Sequence, residues 1–390
     1  MKKIPKNVWA MGLVSLFNDI SSEMIYPIIP LFLKNVLGAP VAVIGLIEGV
    51  AESTASLLKL LSGWISDRLK KRKIFVIIGY SLSGISKILI GLAQSWPFVL
   101  FARFIDRFGK GTRVSARDAL ILESIAPEER GRAFGLHRAL DSLGAVIGPI
   151  IALIMVAIFA DNFRVVFFWA FIPSLIGVIV LIIFVREKKK TSFSEVVPEK
   201  NKAKENLKIN WRELDPRFKN FLIITAIFSL GNSSDAFLIL RAQNLGFALT
   251  LTVATYVLYN LCYAAFSYPA GILSDKIGAK KILGASFFLF ALVYLVFGLT
   301  NSSWLVWVLF AFYGVYMALS DGISRAYIAQ TVAPEKSATA FGAQQMVLGL
   351  GVLVASSVAG LLWNFLAPSY VFIFGSLMAT IAGVMFMFKK

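Results

Sequence analysis

This chain has little of what a soluble metalloenzyme or a secreted domain is built from. It has one cysteine, Cys262, and one histidine, His137, in 390 residues. A lone cysteine excludes an intramolecular disulfide and a Cys-based metal cluster, and a lone histidine leaves no basis for a His-ligated metal. No metal site and no cofactor are expected. Charge is scarce as well: Asp, Glu, Lys and Arg make up 16% of the chain, against 58% hydrophobic residues that include 33 phenylalanines. So little polar surface cannot cover a soluble globule of this size, and the expected class is an integral membrane protein. Acidic residues are the rarer sign, 22 against 39 Lys and Arg, which gives a formal net charge of +17. Function must rest on carboxylates, cations, amides and aromatics.

A helix needs about 20 mostly apolar residues to cross the hydrocarbon layer. Twelve such runs are present, near 8 to 33, 41 to 64, 74 to 93, 97 to 120, 133 to 159, 163 to 185, 219 to 240, 248 to 272, 281 to 300, 303 to 326, 338 to 364 and 369 to 388. The expected fold is therefore all-α, with 12 transmembrane helices. Asn18, Asp19 and Glu23 interrupt the first run and no small-residue cleavage site follows "MKKIPK", so no cleaved signal peptide is expected. Lys2, Lys3, Lys6, the "DRLKKRK" turn, Arg130, Arg132, the segment after Arg186, Lys276, Lys280, Lys281, Lys336, Lys389 and Lys390 all fall on one side. The opposite loops, "KNVLGAP", "AQSWP", "ADNFR" and "TNSSW", hold almost none. The positive-inside rule then places both termini in the cytoplasm and the chain in the cell membrane, and the net charge needs no nucleic-acid partner. The polar, mixed-charge stretch that begins at Arg186 reads as a cytoplasmic linker. The expected domains are a six-helix bundle over 1–187, a linker over 188–217 and a second six-helix bundle over 218–390, in a chain expected to act as a monomer.

The two halves repeat each other at an offset close to 208 residues. "GWISDRLKKRK" at Gly63 recurs as "GILSDKIGAKK" at Gly271, so that Asp67 matches Asp275 and Arg68 matches Lys276. "APEERGRAFG" at Ala126 recurs as "APEKSATAFG" at Ala333, and "NDISSEM" has a looser counterpart in "GNSSDAF", displaced by about one helical turn.

These residues resemble the major facilitator superfamily of secondary transporters. Its turn between helices 2 and 3, Gly-x-x-x-Asp-Arg/Lys-x-Gly-Arg/Lys-Arg/Lys, is similar to Gly63, Asp67, Arg68, Lys71 and Arg72, with a second copy at Gly271, Asp275, Lys276, Gly278, Lys280 and Lys281. The first copy departs from the pattern at Lys70, where the family has its second glycine. Arg103 followed by Gly109 and Gly111 looks like the family's helix 4 motif. Gly144, Gly148 and Pro149 resemble its Gly-x-x-x-Gly-Pro motif of helix 5, associated with exporters that exchange against protons; the paired glycines that often follow are replaced here by "IIA". The resemblance implies two pseudo-symmetric six-helix bundles, with Asp67 and Asp275 acting as latches that form in one conformation and break in another. Physically, Gly144 and Gly148 lie on one helix face and admit a close neighbour, while Pro149 permits a bend.

Charges inside a bilayer are costly and usually face a cavity, a partner or a transport path. The first half holds seven such carboxylates, Asp19, Glu23, Glu48, Glu52, Asp106, Asp118 and Asp141, and eight cations, Lys59, Lys87, Arg103, Arg107, Lys110, Arg113, Arg117 and Arg138. The second half holds Asp235, Arg241, Asp321 and Arg325, with Asn232, Asn260, Gln344 and Gln345 and the tyrosines Tyr256, Tyr259, Tyr263 and Tyr313. On the fourth span the spacing of Arg103, Arg107, Lys110, Arg113 and Arg117 predicts one stripe facing the bundle interior, with Asp19, Glu23, Glu48, Glu52 and Asp141 as counter-charges. With a single histidine, proton carriers must be carboxylates that burial and neighbouring carboxylates fit for protonation; Asp19 with Glu23, or Glu48 with Glu52, are the candidate pairs. The substrate and proton site is thus expected among Asp19, Glu23, Glu48, Glu52, Arg103, Asp106, Arg107, Lys110, Arg113, Asp141, Asp235 and Asp321. "FGKGT" fails as a phosphate loop, because Phe104 stands where its first glycine belongs and Gly111 follows Lys110.

The leading expectation is a non-enzymatic, proton-coupled antiporter that exports a small organic solute, resembling the multidrug-type branch of the superfamily. The alternative is a proton-coupled importer or exchanger of an anionic metabolite, held by Arg103, Arg107, Lys110 and Arg113. A third, minor reading is a transporter-like sensor or structural membrane protein.

Overall fold

The computed structural model describes residues 5–69, 72–125, 130–159, 162–187, 215–332 and 337–388, with the side chains at 60, 61, 63–69, 130–132, 329 and 337–339 excepted. Long Leu, Ile, Val and Phe runs with no period-two alternation fold as helices. In the first half these are α1 (Lys6–Ile25), α2 (Ile29–Asn35), α3 (Val41–Leu69), α4 (Arg72–Leu92), α5 (Trp96–Glu123), α6 (Arg130–Ile158) and α7 (Phe163–Phe184). In the second half they are α8 (Pro216–Gly231), α9 (Ala236–Asn244), α10 (Leu249–Ile277), α11 (Ala279–Leu299), α12 (Leu305–Thr331), α13 (Ser337–Phe365) and α14 (Pro368–Phe388). No strand occurs among the described residues. Among the described residues, ten segments are long and apolar enough to cross a membrane, α8 and α9 counting as one. α1 and α5 fall short because they carry Asp19 and Glu23, and the Arg103 to Asp118 charges, respectively. Large apolar side chains such as Ile183, Phe184, Leu292 and Leu299 point outward, as a lipid-facing surface requires.

The first and seventh spans, expected as single runs over 8–33 and 219–240, are each broken. Residues Tyr26 to Ile28 form a turn between α1 and α2, where Pro27 lacks the N–H that would continue the helix. Asn232 to Asp235 separate α8 from α9, a run of short polar side chains that compete for backbone groups. Interrupted helices at membrane depth are tolerated where they are buried in protein or line a cavity.

The packing repeats with the sequence. α1 lies against α6 and α7, α3 against α5, and α4 against α5 and α7; α8 against α13 and α14, α10 against α12, and α11 against α12 and α14 copy that arrangement. The halves meet along two equivalent seams, α3 with α13 and α6 with α10. Tyr26 Oη and Ser234 Oγ, 208 residues apart, meet at 3.5 Å where the two broken spans face each other across the pseudo-two-fold axis.

The α3–α13 seam is tight away from the termini. Gly49 lies under Leu353, a Cβ added at Gly360 would come within 2.7 Å of the Ala42 Cα, and Ser53 Oγ donates to the Gly349 carbonyl at 2.7 Å. At the other end, which carries the start of α1 and the finish of α14 and is called here the terminal end, the halves part around a cavity of about 650 Å³.

Candidate functional site

The acidic residues of α1 sit where they do because α6 offers them room. A Cβ added at Gly144 would lie 2.7 Å from the Leu16 carbonyl and 2.9 Å from the Asp19 Cβ. One added at Gly148 would lie 2.7 Å from the Ile20 carbonyl and 2.8 Å from the Glu23 Cβ. The glycines at i and i+4 of α6 are thus the seats of the carboxylates at i and i+4 of α1. α6 continues through Pro149 without interruption.

Beyond these seats the acids separate into two groups. Glu48 Oε2 is 2.6 Å from Arg103 Nη2, and Glu52 Oε1 is 3.0 Å from Arg107 Nη2. Asp106 lies 3.4 Å from Lys87 Nζ and 3.7 Å from Arg103 Nη1. With Lys87 wholly buried and Arg103 at 1% exposure, these charges are matched inside the first half. Among the described residues, no arginine or lysine sits on the carboxylates of the second group. Glu23 Oε2 accepts from Tyr256 of the opposite half at 3.0 Å, and Asp235 Oδ1 accepts from Tyr313 at 2.7 Å. Between them runs a ladder of rings: Tyr26 on Tyr256 at 5.6 Å, Tyr256 on Tyr259 at 5.4 Å and Tyr259 on Tyr313 at 5.4 Å. Asp19, also without a cation on it among the described residues, meets the Asp141 carboxyl. Asp141 in turn accepts from Ser15 Oγ at 2.6 Å and from Arg138 at 3.2 Å.

The single stripe expected on the fourth span does not form. Arg103 and Arg107 turn toward α3, whereas Arg113 turns toward α4, donating to Ser83 Oγ at 2.7 Å with its guanidinium 4.6 Å from the Tyr80 ring centroid. Arg117 donates to Asp118 at 3.0 Å and to Ser15 at 3.4 Å. The cause is helical: steps of three and four drift around the axis, and the 15-residue stretch from Arg103 to Arg117 faces more than one neighbour. Of the counter-charges foreseen, Glu48 and Glu52 pair with the ladder, while Asp19, Glu23 and Asp141 do not pair with Arg103, Arg107 or Arg113. The candidate pairs are likewise rearranged, Asp19 meeting Asp141 rather than Glu23. Lys110 and Lys59 make no ammonium ion pair among the described residues.

The cavity at the terminal end is lined by Arg117, Arg138, Asp141, Tyr263, Asp321 and Arg325, among others. Asp321 ties the halves there, accepting from Arg138 at 3.3 Å, Tyr263 at 2.9 Å and Arg325 at 2.8 Å. Gly271 and Asp275 reach the same cavity, and Gly278, with φ of 98°, closes α10 as a left-handed residue that favours glycine. Gly63, Asp67 and Arg68 lie on the last turns of α3, with their side-chain surroundings outside the described residues, as is Lys70. Sequence reasoning counted Lys87 among the membrane cations without giving it a role, and passed over Tyr80, Ser83 and Ser15. A lysine inside the apolar run "SGISKILIG" is the signal that marks Lys87, since it demands a buried acid nearby.

With this geometry in place the chain can be set beside known proteins. The family model described as Major Facilitator Superfamily matches residues 11–259 and 221–390. The chain belongs to the Major Facilitator Superfamily. It is 38% identical over 395 residues to an uncharacterized MFS-type transporter of Methanocaldococcus jannaschii, covering 99% of this chain and 96% of that protein. It is 24% identical over 211 residues to the quinolone resistance protein NorA of Staphylococcus aureus, which covers 54% of this chain and 52% of NorA. Among solved structures, a POT family transporter in complex with thioalcohol conjugated peptide superposes with a TM-score of 0.81 at 14% identity, covering 98% of this chain and 95% of that one. This superfamily fold, two six-helix bundles about a pseudo-two-fold axis, is the class the sequence repeat predicts. A member of this family is a multi-pass protein of the lipid bilayer that binds a small-molecule substrate.

Proposed function

We propose that this superfamily member exports a small organic solute by alternating access in exchange for protons. One observation carries the reading: among the described residues, Glu48, Glu52 and Asp106 are neutralised by cations, whereas Asp19, Glu23 and Asp235 are not. Two adjacent carboxyls such as Asp19 and Asp141 cannot both be ionised cheaply, so the pair is suited to take up and release a proton. Glu23 and Asp235, joined by tyrosine rings, provide the aromatic and polar surface on which an organic solute and a proton could compete. The Gly-x-x-x-Gly-Pro seats at Gly144, Gly148 and Pro149 and the partial likeness to NorA support the exporter direction. The Lys and Arg distribution supports placing the terminal end in the cytoplasm of a plasma-membrane protein, so the cavity would open to the side from which an exporter collects its solute.

The test is transport in proteoliposomes with an imposed pH gradient. Uptake should follow the gradient in the native chain and lose that dependence in Asp19→Asn and Glu23→Gln. Transport indifferent to the gradient in the native chain overturns the proposal.

The anion reading keeps one specific support. Arg103, Arg107 and Arg113 are committed to buried partners, but Lys110, beside Glu52 and Arg107, carries no ion pair among the described residues and is only half-buried. Competition by small carboxylates that disappears in Lys110→Gln, with the fold intact, would favour that function.

A further inference from the structure

The break between α8 and α9 gathers oxygen atoms inside the second half. α8 ends at Gly231 and α9 begins at Ala236, and the four residues between them, Asn232 to Asp235, are all polar. The N–H groups that would continue the helix turn elsewhere: that of Ser234 donates to Ser356 Oγ at 3.0 Å, and that of Ala236 to Ser234 Oγ at 3.3 Å. The carbonyls they would have met, of Leu230 and Asn232, accept no hydrogen bond among the described residues. They add to the negative end of the α8 dipole.

Side chains contribute further oxygens that the described residues leave unsatisfied. Asp235 stands at the position that caps α9, yet its carboxylate makes no capping bond. Oδ1 accepts from Tyr313 instead, and no arginine or lysine sits on the carboxylate among the described residues. Ser233 Oγ and Tyr294 Oη make no hydrogen bond, although Ser233 is 5% exposed and Tyr294 is fully enclosed. The Tyr294 hydroxyl neighbours Ser233, Tyr313 and Asp235 together, with its ring centroid 6.3 Å from that of Tyr313. Buried polar atoms are almost always partnered, so two unpartnered hydroxyls beside a carboxylate without a cation point to a ligand.

We infer that a sodium ion binds at this break, held by Asp235, Ser233, Tyr294 and the carbonyls that end α8. Every donor is oxygen, the set a hard cation takes, and one carboxylate balances a single charge. The scarcity of cysteine and histidine excludes metals that need sulfur or imidazole and leaves this ion untouched. Unwound backbone between two half-helices suits such an ion, because its carbonyls are free to turn inward. Asp235 is partly exposed, which gives the ion a way in. Once bound, the ion joins both pieces of the seventh span to α11 and fixes the angle between them. This inference goes beyond the proton exchange proposed above, whose test rests on Asp19 and Glu23 and a pH gradient, so either can fail alone.

The experiment melts the full chain in nanodiscs, in sodium chloride or in choline chloride at equal ionic strength. Sodium should raise the melting temperature saturably with its concentration, and Asp235→Asn should remove the response. Ser233→Ala and Tyr294→Phe each delete one oxygen that makes no hydrogen bond in the protein, so each should melt like the native chain in choline. Each should also need about tenfold more sodium for the same rise, the loss expected for one contact to a charge. A native chain that melts alike in the two salts overturns the site, as does a sodium response that survives undiminished in all three variants. A fall in the stability of Ser233→Ala and Tyr294→Phe that is equal in sodium and in choline also overturns it, since the hydroxyls would then hold water or serve packing alone.

Discussion

At the scale of single residues, the carboxylates of the first half fall into two sets, separated by whether a cation of the described residues sits on them. Arg103 is almost fully buried on Glu48 with a 2.6 Å contact, so Arg103→Ala leaves a carboxylate stranded in the protein interior. The expected cost is about 3–5 kcal/mol, visible as a large fall in melting temperature, and Glu48→Gln added to Arg103→Gln should recover much of it. Glu23 sits between Gly148 and the Tyr256 hydroxyl, with no cation on it among the described residues, so Glu23→Gln keeps its shape and hydrogen bond and should melt like the native chain. A substitution that destabilises nothing and yet abolishes pH-gradient dependence is the signature of a coupling residue. Gly148→Val has the opposite profile: its Cβ would press to 2.7 Å from the Ile20 carbonyl, and overpacking of about 1–3 kcal/mol should show as lost stability. The acids, the arginines and the glycine pair were all legible in the sequence, because each is an exception to an apolar background. Which acid meets which cation was not legible, since a helical wheel gives directions but not the neighbours that occupy them; Lys87 on Asp106 and Asp19 on Asp141 depend on how α4 and α6 pack.

At the scale of elements, the spans were legible from hydropathy alone, and the repeat gave their grouping. The breaks within the first and seventh spans were not, because apolar composition carries on through Tyr26 to Ile28 and dips only briefly at Asn232 to Asp235. Hydropathy reports partition into lipid, whereas the break reports backbone hydrogen bonding, which Pro27 and the Asn232 to Ser234 side chains decide. The two breaks meet at Tyr26 and Ser234, which places Glu23 and Asp235 at the ends of helices that can tilt independently of their continuations. Pro27→Ala restores the missing N–H and favours one continuous helix. Thermal stability should hold or rise, by up to about 3 kcal/mol, while solute turnover in proteoliposomes falls because Glu23 is now carried rigidly with α2.

At the scale of the whole molecule, the two seams between halves are equivalent by symmetry but not in how they are engaged. Away from the termini, α3 and α13 are locked by small residues, whereas at the terminal end the halves diverge around the central cavity and are joined by Arg138 on Asp321, an exposed pair worth little by itself. A transporter working by alternating access must open the tight end and close the other. Ser53 and Gly349 make the requirement testable, since Ser53 Oγ reaches the Gly349 carbonyl at 2.7 Å and a Cβ added at Gly349 lies 3.9 Å from the Ser53 Cα. That proximity suits a disulfide. In a Cys262→Ser background, Ser53→Cys with Gly349→Cys should oxidise readily and hold the tight end shut. Transport should then fall to background and return on reduction, and solute should still bind from the terminal end in the oxidised state. Full transport by the oxidised, cross-linked chain would mean that this seam never opens, and alternating access about it would have to be abandoned.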